Sequence, residues 1–175
     1  MDFTQLPHGD VTLTNVTVPA CLIGQEGDLV RTDISIAGGR IAGPQPIAVD
    51  MKGAMVFPAF VDMHTHLDKG HIWPRSPNPD GSFMGALTTV RADSSARWTA
   101  ADLRPRMEFS LRCAHAHGTR AIRTHLDSIA PQDDITWPVF RELQGEWAGR
   151  ITLQAVCLIG CDKWTDDSGA FGHTA

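Results

Sequence analysis

The chain shows two successive patterns of hydrophobic and polar residues. In residues 1–55, short apolar stretches alternate with polar positions at period two, as in residues 33–37, which is typical of half-buried strands. The first of these strands is expected to reach from residue 11 to residue 23. Glycines at positions 38 and 39 predict a hairpin turn. The first pattern therefore indicates a small antiparallel sheet.

A different pattern begins near residue 55, where apolar stretches alternate with segments of helical spacing. The stretch 55–63 is mostly apolar, as in a strand buried on both faces. Strand and helix in alternation predict a parallel sheet with crossover helices, hence an α/β fold. The expected strands are 55–63, 119–126 and 151–158, and the expected helices are 86–97, 99–118 and 133–149. A Pro- and Gly-rich loop at 70–85 and an irregular tail at 161–175 complete this part.

The composition narrows the class of protein. The 175 residues carry a formal net charge of −5, which argues against a nucleic-acid partner. Hydrophobic residues make up 42% and charged residues 20%, as in a soluble globular protein. No apolar run approaches the ~18 residues of a membrane span. The first residues lack the features of a signal peptide, so we expect a cytoplasmic location and no membrane partner.

Two histidines close the first strand of the second pattern. His64 and His66 are two residues apart, so on a strand their side chains point to the same side. Two imidazoles placed in this way can share one divalent metal ion. The alternative is a pair of exposed or hydrogen-bonded histidines at a strand terminus. We predict that His64 and His66 are metal ligands.

The sequence Thr-His-Leu-Asp ends two of the expected strands, at residues 65–68 and again at 124–127. Counting by twos places Asp68 on the face of His64 and His66, and places Asp127 on the face of His125. Because the carboxyl ends of parallel strands carry the active sites of α/β barrels, these groups predict one site. His125, Asp127 and Asp68 are expected to contact substrate or to orient the ligands. The alternative is an ion-pair cluster that only stabilises the sheet, and Lys69 is expected to be solvated.

These motifs resemble the amidohydrolase superfamily and, within it, the cytosine deaminase-like branch. The segments that carry the resemblance are 56–69, which reads VFPAFVDMHTHLDK, 118–127, which reads GTRAIRTHLD, and 153–156, which reads LQAV. The resemblance implies a (β/α)8 barrel preceded by a small β-sandwich. Residues 1–55 would form part of the sandwich and residues 56–160 the first three βα units, so the barrel is incomplete in this chain.

The resemblance also implies the chemistry. One divalent metal ion, Fe²⁺ or Zn²⁺, is held by the histidines that match His64 and His66. The metal activates a water that attacks the amidine carbon of a cyclic substrate, and ammonia leaves. The remaining ligands and the acid/base residues are expected beyond the end of this chain, so its own catalytic residues are unknown and the chain alone is expected to be inactive. The expected partner is a small-molecule cyclic amidine. Whether the chain also forms a homo-oligomer is left open by the sequence.

One departure concerns the substrate. The family's cytosine-reading glutamine follows the third strand, and Gly160 stands at about the matching position. Glycine offers no amide, so cytosine is in doubt as the substrate. Two alternatives to the enzyme stay open, namely a non-catalytic truncated fragment that binds metal weakly and an α/β binding domain with incidental histidines.

Overall fold

A computed structural model describes residues 6–160 of the chain. The chain divides into two compact units, Met1–Pro58 and Ala59–Ala175. The sequence predicted a division after residue 55. The tail predicted at 161–175 lies outside the described residues.

The first unit is a four-stranded sheet in the order β3-β2-β1-β4. Its strands are β1 (Val11–Pro19), β2 (Leu29–Ala37), β3 (Arg40–Ala42) and β4 (Ala48–Asp50). The predicted hairpin is confirmed, because β2 and β3 pair antiparallel around Gly38 and Gly39. Both glycines have positive φ, of 56° and 73°, the backbone that a tight two-residue hairpin turn requires.

Two expectations for this unit are wrong. The first strand ends at Pro19, and Ala20–Ile23 form a 3-10 turn in which the last three residues are exposed. Proline has no amide hydrogen to continue a sheet ladder, which favours an end at this position. The sheet is also mixed rather than antiparallel, because β4 pairs parallel with β1. The three residues of β4 are too few for a periodic pattern to reveal them.

The second unit alternates strand and helix, as predicted. Its elements are β5 (Phe60–Thr65), α1 (Phe83–Arg97), α2 (Ala100–Ala116), β6 (Thr119–Asp127), α3 (Gln132–Glu146) and β7 (Thr152–Leu158). The strands form a parallel sheet in the order β5-β6-β7. Among the described residues, no helix has both the length and the hydropathy needed to cross a membrane.

The core of the second unit lies between one face of the sheet and the helices. Leu103, Met107 and Leu111 recur along α2 and are fully buried, together with Leu126 of β6 and Leu143 of α3. The side chain of Thr99 caps α2 by accepting a hydrogen bond from the amide of Asp102 at 3.2 Å. This packing fixes β6 and the loops at its carboxyl end, where the candidate site lies.

The expectation that the first strand of this sheet is buried on both faces is wrong. Val61 and Met63 of β5 are 65% and 74% exposed. The physical reason is that β5 is an edge strand on which no helix of residues 59–160 packs closely, so its side chains, which point out of the sheet plane, stay uncovered. The apolar sequence of this strand therefore does not by itself predict that its side chains are buried.

Candidate metal centre

The site residues of β6 follow from its alternation. Ile122, Thr124 and Leu126 are buried, and the first and last of these pack in the core beneath the helices. His125 and Asp127, which alternate with them, project from the opposite face and are only half-buried. The strand therefore presents polar side chains on the face that the helices leave open.

Three imidazole rings meet on this face at the ends of β5 and β6. The ring centres of His64 and His66 are 5.3 Å apart, and the two rings are nearly perpendicular. The rings of His64 and His125 stack at 4.1 Å, and those of His66 and His125 lie 5.8 Å apart. β5 ends at Thr65, so His66 lies one residue past the strand. The structure brings together the two predicted ligands and one predicted neighbour.

The backbone of His125 fixes the ring of His66. The Nδ1 atom of His66 lies 2.9 Å from the carbonyl oxygen of His125. A carbonyl oxygen can only accept a hydrogen bond, so Nδ1 donates and Nε2 keeps its lone pair. This is the arrangement that orients metal-binding histidines in proteins. Burial lowers the pKa of His66, which also favours the neutral ring that a metal requires.

Asp68 lies in the turn after β5 and is completely buried. Its Oδ2 atom accepts a hydrogen bond from the amide of Asp127 at 2.9 Å, and its Oδ1 atom has no hydrogen-bond partner among the described residues. Burial raises the pKa of this carboxyl to about 6. Counting by twos had placed Asp68 on the histidine face of the strand. That placement is wrong, because the strand ends at Thr65 and Asp68 instead ties the turn to β6.

Asp127 forms an ion pair with Lys69. The distance between Lys69 Nζ and Asp127 Oδ1 is 2.8 Å, and the two side chains are 21% and 27% exposed. The expectation that Lys69 is simply solvated is wrong, because the turn at Asp68 directs the lysine back over the end of β6. The ammonium group of this pair adds to the effect of burial in lowering the pKa of the His66 ring.

The histidines fit a divalent metal as a pair of ligands. Two imidazoles that share a tetrahedral zinc, with Zn–N distances of about 2.1 Å, have ring centres roughly 5 Å apart. His64 and His66 match this spacing at 5.3 Å, and the free Nε2 of His66 is a suitable donor. Within residues 6–160, no group of three or more His, Cys, Asp or Glu side chains could hold a metal. The described part of the chain could thus give one ion two ligands, and the other coordination positions would be open.

Sequence reasoning missed Thr124. This residue is fully buried, and its hydroxyl accepts a hydrogen bond from the amide of Leu67 at 3.0 Å. The repeated Thr-His-Leu-Asp is the signal in the sequence that could have indicated it. The roles of His64, His66, Asp68, His125 and Asp127 stay predictions.

The similarity of the chain to known proteins identifies its family. The profile of the Amidohydrolase family matches residues 48–136, about half of the chain. The chain therefore belongs to the amidohydrolase family, a family of hydrolases that act on C–N bonds, as the sequence motifs predicted. The described part of the chain has a mixed α/β fold.

Two curated relatives give the sequence likeness. The chain is 54% identical over 170 residues to a pterin deaminase of Rhizobium rhizogenes, a match that covers 89% of this chain and 39% of the relative. It is 38% identical over 129 residues to an adenine deaminase of Brucella anthropi, covering 62% of this chain and 23% of the relative. The chain thus spans well under half the length of either protein.

Two solved structures give the likeness in fold. A 5-methylcytosine deaminase from Klebsiella pneumoniae superposes with a TM-score of 0.66 at 23% identity, covering 83% of this chain and 36% of that one. An N-isopropylammelide isopropylaminohydrolase from Burkholderia multivorans superposes with a TM-score of 0.63 at 25% identity, covering 86% and 37%. The first likeness concerns the fold alone.

Proposed function

We propose that the chain forms part of a metal-dependent deaminase in which His64 and His66 hold one divalent metal ion. The observation that carries this proposal is the spacing of 5.3 Å between the two rings, together with the hydrogen bond that leaves Nε2 of His66 free. A divalent metal bound by these two histidines would supply a nucleophile near neutral pH, because it would lower the pKa of a water to about 7. The proposed reaction is hydrolysis of the amino group of a cyclic amidine, which consumes one water and releases one ammonia.

The chain's own residues orient the ligands and shape the edge of the site. The carbonyl of His125 holds the His66 ring in one tautomer, and the His125 ring covers one side of His64 at 4.1 Å. The ion pair of Lys69 and Asp127 places a hydrogen-bond donor beside the metal ligands. We propose that this ammonium group donates hydrogen bonds to polar atoms at the edge of the substrate.

We propose a pterin-type ring as the substrate. Pterin carries an amino group on a cyclic amidine, so hydrolysis consumes one water and releases one ammonia. Identity of 54% to the pterin deaminase supports this assignment. Gly160, which is exposed after β7, supplies no side-chain amide for reading a pyrimidine, and this disfavours cytosine.

We further propose that the second unit supplies the first three βα units of a (β/α)8 barrel. Support comes from the parallel order β5-β6-β7 and from the position of all the site residues at the carboxyl ends of β5 and β6. A full barrel takes about 250 residues. In this proposal the remaining ligands and the acid/base residues come from further strands, and the chain by itself releases little or no ammonia.

The metal proposal is tested by calorimetric titration of the purified chain with Zn²⁺. We expect weak, exchangeable binding of one ion, which is lost when both ligands are replaced in His64→Ala/His66→Ala. The matched control is His115→Ala/His117→Ala, since these histidines are exposed near the end of α2. Equal zinc uptake by the wild type and the His64/His66 double variant would contradict the proposal.

The substrate proposal is tested by exchange of segments. The segment of the Rhizobium rhizogenes pterin deaminase that matches this chain is replaced by the chain's own residues, and ammonia release from pterin is measured. We expect the chimera to deaminate pterin and to lose this activity with His66→Ala. A folded, metal-loaded chimera that releases no ammonia would count against a pterin substrate.

A further inference from the structure

A buried arginine of α2 holds the turn that follows the proposed ligands. Arg106 is only 9% exposed. Its Nη1 atom donates to the carbonyl oxygens of Asp68 at 2.6 Å and Gly70 at 2.8 Å. Both carbonyls belong to the turn that begins directly after His66. One guanidinium nitrogen thus bridges two carbonyl oxygens of the turn.

The other side of the same guanidinium is fixed to its own helix. Its Nε and Nη2 atoms donate to Oδ2 of Asp102 at 3.1 and 2.9 Å, and its carbon lies 5.3 Å from the ring centre of Trp98. Because the guanidinium is planar, two hydrogen bonds to one carboxylate set its orientation as well as its position. Arg106 therefore reaches the turn in a fixed direction.

A second arginine ties the loop beyond the turn to the same carboxylate. Arg75 pairs with Asp102 and, through Nη2 at 2.7 Å, with the buried Asp93 of α1. Asp93 also accepts hydrogen bonds from Ser76 at 2.8 Å and from the indole of Trp98 at 3.0 Å. The ion pairs of Arg75 hold the loop onto both helices. Of the two arginines, it is Arg106 that donates to the carbonyl groups of the turn.

We infer that Arg106 is a positioning residue for the metal centre, acting through the turn at Asp68 and Gly70 on His66. This inference rests on the proposed function. The turn is held from two sides, since Arg106 binds the carbonyl of Asp68 while the carboxylate of Asp68 binds the amide of Asp127. Loss of Arg106 releases one side and frees His66 to leave the carbonyl of His125.

The first test compares zinc affinity in two arginine variants of α2. Groups that orient metal ligands change metal affinity by about 10- to 100-fold when they are removed. We expect Arg106→Gln to weaken zinc binding by about tenfold or more. The control is Arg104→Gln, which removes ion pairs to Glu142 and Glu146 of α3 and leaves the turn untouched. Equal affinity in the two variants would overturn the inference.

The second test uses the metal-free protein and hydrogen exchange. The amide of Asp127 is protected by Asp68, whereas Ile122 lies in the middle of β6. We expect Arg106→Gln to speed exchange at Asp127 and to leave Ile122 unchanged. Equal acceleration at both amides would indicate general destabilisation and overturn the inference. If the wild type binds no zinc, the proposed function fails, and this measurement still decides whether Arg106 holds the turn at Asp68 and Gly70.

A conservative variant covers the case in which Arg106→Gln does not fold. Arg106→Lys keeps a cationic donor for the two carbonyls but cannot form the paired contact with Asp102. We expect exchange at Asp127 to be faster than in the wild type and slower than in any folded Arg106→Gln. Exchange identical to that of the wild type at Asp127 in Arg106→Lys, with Arg106→Gln unfolded, would overturn the inference.

Discussion

The same four residues, Thr-His-Leu-Asp, occur at the ends of β5 and β6 and adopt different structures. In the first copy, residues 65–68, the strand stops at Thr65, and the rest forms a turn with Leu67 and Asp68 buried. In the second copy, residues 124–127, all four residues stay in the strand. Identical local sequence therefore does not decide whether the chain continues as a strand.

Three hydrogen bonds join the two copies. Thr124 accepts from the amide of Leu67, the carbonyl of His125 accepts from His66, and the amide of Asp127 donates to Asp68. In each hydrogen bond one atom belongs to residues 66–68, where the first copy has left the strand, and the other belongs to the carboxyl end of β6. In the proposed function, the first copy therefore carries a metal ligand, His66, and the second copy positions it.

The largest expected difference is in metal affinity. His66→Ala removes one of the two proposed ligands. Structural zinc sites bind with about 10–16 kcal/mol shared among four ligands, and the share of one ligand corresponds to a fall in zinc affinity of about a hundredfold. His125→Ala keeps the backbone carbonyl that orients His66, so its effect should stay below about tenfold. Competition with a zinc-sensitive dye measures both. Equal losses would show that the two copies do not differ in this way.

The next difference concerns pH and the two aspartates. Burial raises the pKa of Asp68 from 3.8 to about 6, so the folded chain binds more protons than the unfolded chain between these values. The free energy of unfolding of the metal-free protein should therefore fall as pH rises through this window, by roughly 3 kcal/mol at most, and then level off.

The variant Asp68→Asn isolates this contribution. Its amide oxygen still accepts from Asp127 but carries no charge, so its stability relative to the wild type should increase from pH 4 to pH 7. Asp127→Asn is the control, because Asp127 is partly exposed and pairs with Lys69. Urea unfolding at several pH values measures the difference. A constant difference for Asp68→Asn across the window would contradict the assignment.

The smallest expected difference is between the two threonines. Thr124→Val leaves the buried amide of Leu67 without its partner, and we expect a cost of about 1–3 kcal/mol. Thr65→Val changes a half-buried residue whose side chain forms no hydrogen bond with residues 6–160, so the free energy of unfolding should change by less than about 0.5 kcal/mol. Thermal unfolding of both variants checks the contrast, and equal costs would argue against the contact across the two copies.

Much of the fold could be predicted from the sequence. Helical spacing located α2, and Thr99 marked its beginning. Glycines 38 and 39 marked the hairpin between β2 and β3, and both signals are local. The exposure of Val61 and Met63 was not predictable, because it depends on whether another element covers an edge strand.

Part of the candidate site was also within reach of the sequence. The spacing of His64 and His66 indicated a shared side, and the repeated motif indicated that His125 and Asp127 lie nearby. The hydrogen bond from Asp127 to Asp68 and the contacts of Arg106 with the turn were not predictable. They join residues 59 and 38 positions apart in the chain, and no local pattern encodes such a pairing.

The sequence by itself determined the order of strands and helices, the family and the two histidines with metal-ligand spacing. Periodicity and residue type act over a few neighbouring residues, and these features are local. Only the tertiary structure decided that one Thr-His-Leu-Asp turns away from its strand while the other continues. That choice depends on buried hydrogen bonds from α2 and β6, whose free energy exists only after distant segments have packed together.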